Sequence, residues 1–171
     1  MRRFPPERII CLTEETVETL YLLGEDHRIV GVSGYAVRPP QVRREKPRVA
    51  AFTSADIPKI LALDPDLVLY DEPFAGLDPI SLGVAARLIR DLNDALGLTS
   101  IIVSHDLHET FGIADQVAMI ANGRVVAQGT PDELRHSDDP LVHQFVGAEP
   151  DGPVRFHQPA RPVAEDFGVS A

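Results

Sequence analysis

An apolar segment that ends in two adjacent carboxylates, Leu67–Tyr70 followed by Asp71 and Glu72, constrains the fold of this chain most strongly. Its apolar residues occupy both alternating faces, which is typical of a buried strand in a parallel sheet. Because open α/β sheets bind ligands at the carboxyl ends of their strands, the two acids are candidate functional residues. One can hold a Mg²⁺ shell and the other can polarise an attacking water. An ordinary surface turn is the alternative interpretation of the same tripeptide Asp-Glu-Pro.

A predicted helix and a second apolar strand follow these acids. Residues 79–96 carry apolar side chains at helical spacing, and residues 100–103 form the strand that leads to His105. A strand, a crossover helix and a parallel strand make one right-handed unit, with the strands about 4.8 Å apart if they pair. We therefore expect Glu72 and His105 to share one edge of the sheet, within reach of one phosphate group. The apolar helix positions are Leu82, Ala85, Ala86, Ile89, Leu92 and Leu96.

The segments LVLYDEPFAGLDP and IIVSHD together resemble the second half of an ABC-transporter ATPase. In this resemblance LVLYDE is the Walker B strand, AGLD is the D-loop and SHD is the switch-histidine loop. The longer segments DEPFAGLDPISLGV, LNDALGLTSIIVSHD and DGPVRFHQP resemble the ATPase of the bacterial phospholipid transporter of the lipid-asymmetry, toluene-tolerance type. The resemblance implies that Asp71 holds Mg²⁺ through water, that Glu72 is the general base, that Asp78 acts across a dimer, and that His105 contacts the γ-phosphate of ATP.

The first third of the chain has a different resemblance. RIICLTEETVETLYLLGEDHRIVGVSGYA and PRVAAFTSADIPKILALDPDLVL are similar to the amino-terminal part of cobalamin- or iron-siderophore-type substrate-binding proteins, over about residues 7–69. This resemblance implies that Gly34, Tyr35, Thr53 and Ser54 lie in loops that face a ligand, and the alternative for each is an ordinary loop residue. We find no counterpart of that family's second lobe or linking helix, so we expect half of the cleft to be absent.

The phosphate-binding motifs of an ABC ATPase are absent from the sequence. No glycine directly precedes a lysine, so the chain lacks the motif G-x-x-x-x-G-K-[ST]. It also has no LSGGQ-type signature. The backbone N–H groups and the lysine of that loop hold the β- and γ-phosphates of ATP. Because phosphoryl transfer depends on positioning and charge stabilisation, we expect ATP to bind weakly or not at all and the isolated chain not to turn over.

The balance of basic and acidic residues changes near residue 66, where the two resemblances also meet. Residues 1–65 carry ten basic and nine acidic side chains, whereas residues 66–171 carry six and seventeen. The shift indicates two sequence histories joined there, as in a fused reading frame or a chimera. The acidic second part argues against a nucleic-acid partner. We predict a substrate-binding-protein-like segment at 1–65, the second half of an ABC ATPase domain at 66–148, and a Pro-rich tail at 149–171.

The expected fold is α/β, a mainly parallel sheet with helices on both faces plus a hairpin at 117–128 and short helices after it. The five predicted sheet strands are 8–12, 29–33, 48–52, 66–71 and 99–104. No run approaches the length of a membrane span, and no signal-peptide pattern opens the chain, so we expect a cytoplasmic protein. The ATPase resemblance implies a location peripheral to the inner membrane, with a homodimer or a transporter membrane subunit as partner. A small-ligand module, or a hybrid with neither activity, is the alternative function.

Overall fold

The computed structural model describes residues 4–51, 54–155 and 167–168, and the chain divides into two compact units, residues 1–113 and 114–171. The described residues of the first unit form six strands and five α-helices. Its strands are β1 (Ile9–Cys11), β2 (Ile29–Ser33), β3 (Arg48–Ala51), β4 (Ser54–Ala55), β5 (Leu67–Asp71) and β6 (Thr99–Val103). Its helices are α1 (Glu14–Leu22), α2 (Val42–Glu45), α3 (Ile57–Ala62), α4 (Pro79–Leu96) and α5 (Leu107–Ile113), with a 3₁₀ turn at Asp26–Arg28.

All six strands of the first unit form one sheet, in the order β4-β3-β2-β1-β5-β6. Every pairing is parallel except that of the short edge strand β4 with β3. Strand β5 lies between β1, with Val68 opposite Ile10, and β6, with Tyr70 opposite Ile102. The predicted α/β class is therefore confirmed, and a single sheet continues through residue 66, where the two sequence resemblances meet.

The interior strands carry apolar side chains on both faces because helices cover both. On one face Cys11 packs with Val17 and Val32, and on the other face Ile10 packs with Ile60. Cys11 is buried, as the sequence predicts. Burial raises the pKa of its thiol to about 11, so the nucleophilic thiolate is scarce at neutral pH.

Helix α4 has a defined start and stop. Asp78 caps its first turn, and Gly97 ends it in the left-handed conformation with φ of 54°. The predicted apolar face is the packed one, since Ala86 and Ile89 are buried against Phe74. The opposite face also carries apolar side chains, which the sequence reasoning did not single out: Ile80, Val84 and Leu88, all exposed.

The second unit contains an antiparallel hairpin of β7 (Val117–Ala121) and β8 (Arg124–Gly129), then helices α6 (Pro131–Arg135) and α7 (Pro140–Val146). Asn122 and Gly123 turn the hairpin, both with positive φ, as the dipeptide predicts. Thr130 and Glu133 have the sequence spacing that predicts a capping box at the start of α6. The structure confirms it, because the Glu133 backbone N–H donates to Thr130 Oγ1 and the Thr130 N–H donates to the Glu133 carboxylate.

Two local patterns in the sequence predict the wrong structure, and one strand has no predicted counterpart. Residues 37–46 are rich in proline and arginine, which is typical of a loop, but they contain α2, because Val42 is fully buried and anchors a helical turn. The spacing of Ile57, Ile60 and Leu61 predicts one apolar face for α3, but Leu61 is half exposed, whereas Ile60 is buried. The antiparallel edge strand β4 was not predicted. Among the helices of the described residues, none combines the length and the apolar character needed to cross a bilayer.

Candidate functional site

The candidate site lies at the carboxyl edge of β5 and β6. These strands are parallel and in register, with Asp71 opposite Val103, so the residues that follow each strand emerge at the same edge. The Glu72 backbone N–H donates to the Val103 carbonyl at 2.8 Å, which extends the ladder one residue beyond β5. The structure thus brings Glu72 and His105 to one edge, where the spacing of the two strands predicts them.

Glu72 leaves the sheet in a left-handed backbone conformation, with φ of 48°. A residue with a Cβ adopts this conformation at a cost of roughly 1–2 kcal/mol, so the turn after β5 is held against a local preference. A hydrogen bond from the Ala75 N–H to the Glu72 carbonyl, 3.2 Å long, closes that turn. Strained non-glycine residues of this kind concentrate at functional sites.

Glu72 and His105 are in direct contact. The imidazole Nδ1 of His105 lies 2.9 Å from Oε1 of Glu72. The hydrogen bond and the charge of Glu72 raise the pKa of His105, and the charge of Asp106 adds to the effect. The His105 side chain is 73% exposed, so solvent screens this pair strongly. This arrangement can hold a proton between the Glu72 carboxylate and the His105 imidazole at the carboxyl edge of β5 and β6.

Asp71, one residue earlier, is the last residue of β5 and is partly buried. Partial burial raises its pKa, and the charges of Glu15 and Glu72 raise it further. Glu15 belongs to the first turn of α1, which follows β1, the neighbour of β5. A helix N-terminus at this edge would favour an anion, but Glu14 and Glu15 in its first turn already supply negative charge.

Asp78 acts locally as the cap of α4. Its Oδ1 accepts hydrogen bonds from the backbone N–H groups of Ile80 at 2.9 Å and Ser81 at 3.1 Å, and its Oδ2 accepts one from the Ser81 hydroxyl. The Ser81 hydroxyl, followed by the backbone donors, lowers the pKa of Asp78. The role across a dimer that the ATPase resemblance implies for this residue stays a prediction.

The loop residues predicted to face a small ligand lie elsewhere, beyond β2 and β3. The Gly34 N–H donates to the Ala50 carbonyl at 2.7 Å, and the Tyr35 side chain is 59% exposed. Ser54 opens β4, where its backbone pairs with Ala51. Thr53 lies outside the described residues. Ligand contact by these four residues stays a prediction.

Sequence reasoning missed two acids at the site. Asp106 offers a carboxylate oxygen that lies within 4.8 Å of the ligand atoms of Glu72 and His105. Its position directly after His105 was the available signal. Glu15 was missed because its approach to Asp71 depends on β1 lying beside β5, and strand order is not written in the local sequence.

The comparisons with known proteins find both resemblances. The periplasmic binding protein family matches residues 9–86. The intermembrane phospholipid transport system ATP-binding protein MlaF of Haemophilus influenzae is 43% identical over 165 residues, which cover 96% of this chain and 60% of that protein. The MlaF protein of Escherichia coli is 43% identical over 132 residues, or 77% of this chain and 47% of that protein. The chain therefore spans about half to three-fifths of the length of these relatives.

Solved structures of both kinds are also similar. The periplasmic vitamin B12 binding protein BtuF of Vibrio cholerae is 30% identical with a TM-score of 0.46, over 86% of this chain and 48% of that one. The cbiO1 protein of Clostridium perfringens, part of an ABC transporter complex, is 31% identical with a TM-score of 0.44, over 52% of this chain and 36% of that one. The chain thus resembles the phospholipid-transport ATP-binding protein MlaF and, in its first part, the periplasmic binding protein family.

Proposed function

We propose that this chain is a partial ATP-binding subunit of an ABC transporter of the lipid-transport type, and that by itself it is catalytically incomplete. The contact between Glu72 and His105, 2.9 Å long at the edge where Asp71 also emerges, carries the proposal. In the proposed site Glu72 orients the attacking water, His105 contacts the terminal phosphate, and Asp71 supports Mg²⁺ through water. The 43% identity with two MlaF proteins supports the same assignment.

The residues at this edge fit a hydrated Mg²⁺ better than a nucleotide. Asp71 and Glu72 supply the hard carboxylate oxygens that Mg²⁺ prefers. Triphosphate binding needs a nest of N–H groups and a lysine, whereas the turn between β1 and α1 reads Leu12-Thr13-Glu14-Glu15. The guanidinium of Arg38 is already paired with Glu14 at 2.5 Å. The isolated chain is therefore not expected to hydrolyse ATP.

A phosphate-release assay with Mg·ATP tests this proposal. We expect release from the purified chain to equal that of its Glu72→Gln variant, because neither has a cradle that positions the γ-phosphate. A thermal-shift titration with Mg·ATP should move the melting temperature little in either protein. Robust turnover that disappears in Glu72→Gln would instead show a complete hydrolytic site and would contradict the proposed incompleteness.

The proposal extends to partners and location. A partial ATP-binding subunit of this type would act on the cytoplasmic face of the inner membrane, beside a transporter membrane subunit or a second copy of itself. Pull-down with the membrane subunits of a phospholipid ABC transporter tests the first arrangement, and light scattering tests the second. Failure of both, together with no response to Mg·ATP, would favour a hybrid that has neither activity.

A small-ligand binding module is the second candidate, favoured by the family match over residues 9–86. In that case the exposed ring of Tyr35, beside Gly34, would contact a corrinoid or a siderophore. Titration with cobalamin, followed in the visible spectrum, should then saturate and weaken in Tyr35→Ala. Tyr21→Phe is the matched control, because the hydroxyl of Tyr21 instead donates to Glu45 at 3.0 Å. A flat titration in the wild-type chain would remove this candidate.

A further inference from the structure

We propose that Glu72, His105 and Asp106 together form a binding site for a divalent transition metal ion, such as Zn²⁺, Co²⁺ or Ni²⁺, that needs no nucleotide. Each residue offers one ligand atom, and these atoms all lie within 4.8 Å of one another. The proposal concerns the isolated chain and does not depend on its ability to bind ATP. The negative charge of the acidic side chains at this edge favours a cation and disfavours a triphosphate.

The chemistry of the three side chains favours a transition metal over Mg²⁺. An imidazole nitrogen with two carboxylate oxygens suits Zn²⁺ and its neighbours, whereas Mg²⁺ and Ca²⁺ prefer oxygen ligands alone. Three protein ligands leave a further position for water, as in open zinc sites. A two-carboxylate, one-imidazole set also neutralises the charge of a divalent ion.

The distances allow a metal ion after a small adjustment. Ligand atoms about 2.1 Å from a tetrahedral ion lie about 3.4 Å from one another. Nδ1 of His105 and Oε1 of Glu72 are already closer than this, at 2.9 Å, so an ion inserted between them moves them apart by a few tenths of an ångström. Because all the ligand atoms lie within 4.8 Å of one another, the largest required approach is at most about 1.4 Å. The exposed side chain of His105 can rotate as the ion binds.

The backbone that carries these ligands is held in place from both strands. The Glu72 N–H is bonded to Val103, and the Asp106 N–H donates to the Ser104 hydroxyl at 3.1 Å. Rigid elements of this kind reduce the entropy that metal binding would otherwise cost.

A second indication of a cation comes from an oxygen of Glu72 for which the described residues supply no hydrogen-bond donor. Oε2 of Glu72 is buried and accepts no hydrogen bond from the part of the chain that the structure describes. Buried carboxylate oxygens are normally hydrogen-bonded or coordinated, because burying them unpaired is costly. Coordination of Zn²⁺ by both carboxylate oxygens of Glu72 would satisfy Oε2 and keep Oε1 beside Nδ1 of His105.

Isothermal titration with ZnCl₂, in the absence of nucleotide, tests the site on the full chain. We expect one ion per chain, and at least tenfold weaker binding in His105→Ala, Glu72→Gln and Asp106→Asn. His108→Ala is the matched control, because His108 is also an exposed histidine beside a carboxylate, with Nδ1 3.2 Å from Glu109, and it belongs to no three-ligand cluster among the described residues. Its binding should equal that of the wild type.

Co²⁺ absorption locates the ion, since visible d–d bands report its ligands. The bands expected for the wild-type chain should disappear in His105→Ala and persist in His108→Ala, with circular dichroism confirming that each variant is folded. Absence of a Zn²⁺ isotherm in the wild type overturns the proposal. So does Zn²⁺ affinity that is unchanged in His105→Ala, or lost equally in His108→Ala, since the ion would then bind elsewhere.

Discussion

Strands β1 and β6 flank β5 on opposite sides and differ sharply in how they are covered. Strand β1 pairs on both sides and buries all three of its residues, Ile9, Ile10 and Cys11. Strand β6 is the last strand of the sheet, and its side chains alternate between partly buried and exposed. Ile101 and Val103 are 51% and 54% exposed, although both are apolar and β-branched.

The difference shows that the apolar character of a strand does not by itself determine its burial, which also depends on the elements that pack against it. An uncharged run such as Thr-Ser-Ile-Ile-Val is typical of a strand covered on both faces. In β6 only one face is covered, where Ile102 packs against the core that holds Phe74 and Ile89. The sheet therefore ends in a strand that exposes apolar side chains on its outer face. A further polypeptide segment could pack against this face or pair with the outer edge of the strand.

The largest expected effect comes from the same truncation on the two flanks of β5. Ile10→Ala should lower the free energy of unfolding by about 3 kcal/mol, because Ile10 is fully buried and its loss leaves a cavity. Ile101→Ala should lower it by less than about 1 kcal/mol, because half of that side chain already meets water. Urea denaturation followed by circular dichroism measures both values.

An equal loss of stability in the two variants would contradict the difference in burial between β1 and β6. It would mean that a second chain or another part of this one covers Ile101 in solution. Size-exclusion chromatography at the concentration of the denaturation experiment separates these cases, since a second copy would double the mass and Ile101→Ser would reduce it.

A second pair of substitutions contrasts a buried and an exposed apolar side chain on adjacent residues of α4. Ile89 is buried against Phe74, whereas Leu88, the residue before it, is 52% exposed. Ile89→Ala should cost about 2–3 kcal/mol of stability and Leu88→Ala less than about 1 kcal/mol. Thermal and urea unfolding of the two variants provide the measurement. A larger loss at Leu88 would contradict the observed orientation of the helix.

Much of this arrangement could be predicted from the sequence, and the reasons are local. The apolar run before Asp71 and the one before His105 each predict a strand, and parallel pairing then brings Glu72 and His105 to one edge. Helix capping is equally local, since Thr130 and Glu133 form their capping box within four residues. Such features depend on spacing along the chain, which a sequence contains in full.

Other features depend on which elements become neighbours. The sequence pattern of α4 identifies its buried face, but it does not reveal that Ile80, on the opposite face, is left 80% exposed. The approach of Glu15 to Asp71 requires β1 beside β5, and short α2 forms because Val42 reaches a core built from distant segments. Residue propensity and hydrophobic periodicity carry little information about which distant elements pack against one another.

The charge on the β1 flank gives a smaller effect, visible at a single carboxylate. Glu15→Gln should move the pKa of Asp71 down toward its ordinary value of 3.8, because one of the charges that raise it is removed. Glu14→Gln is the matched control, since Glu14 pairs with Arg38. Carbon-13 NMR titration of the Asp71 carboxyl measures the change. An identical shift in both variants would show that the effect is a general one of net charge.

The smallest expected effect is the pH dependence of the α4 cap on the β6 flank. Hydrogen bonds, chiefly from the Ser81 hydroxyl, lower the pKa of Asp78 below its ordinary value of 3.8. A carboxyl with a lowered pKa in the folded state contributes stability above its unfolded pKa and loses it as pH falls through the folded value. We therefore expect the melting temperature of the wild type to decline below about pH 4 more steeply than that of Asp78→Asn. Ser81→Ala should lie between them, because it removes the first cause of the shift and keeps the two backbone donors. Parallel declines in all three proteins would show that Asp78 titrates alike in the folded and unfolded chain, and the cap would then contribute no pH dependence.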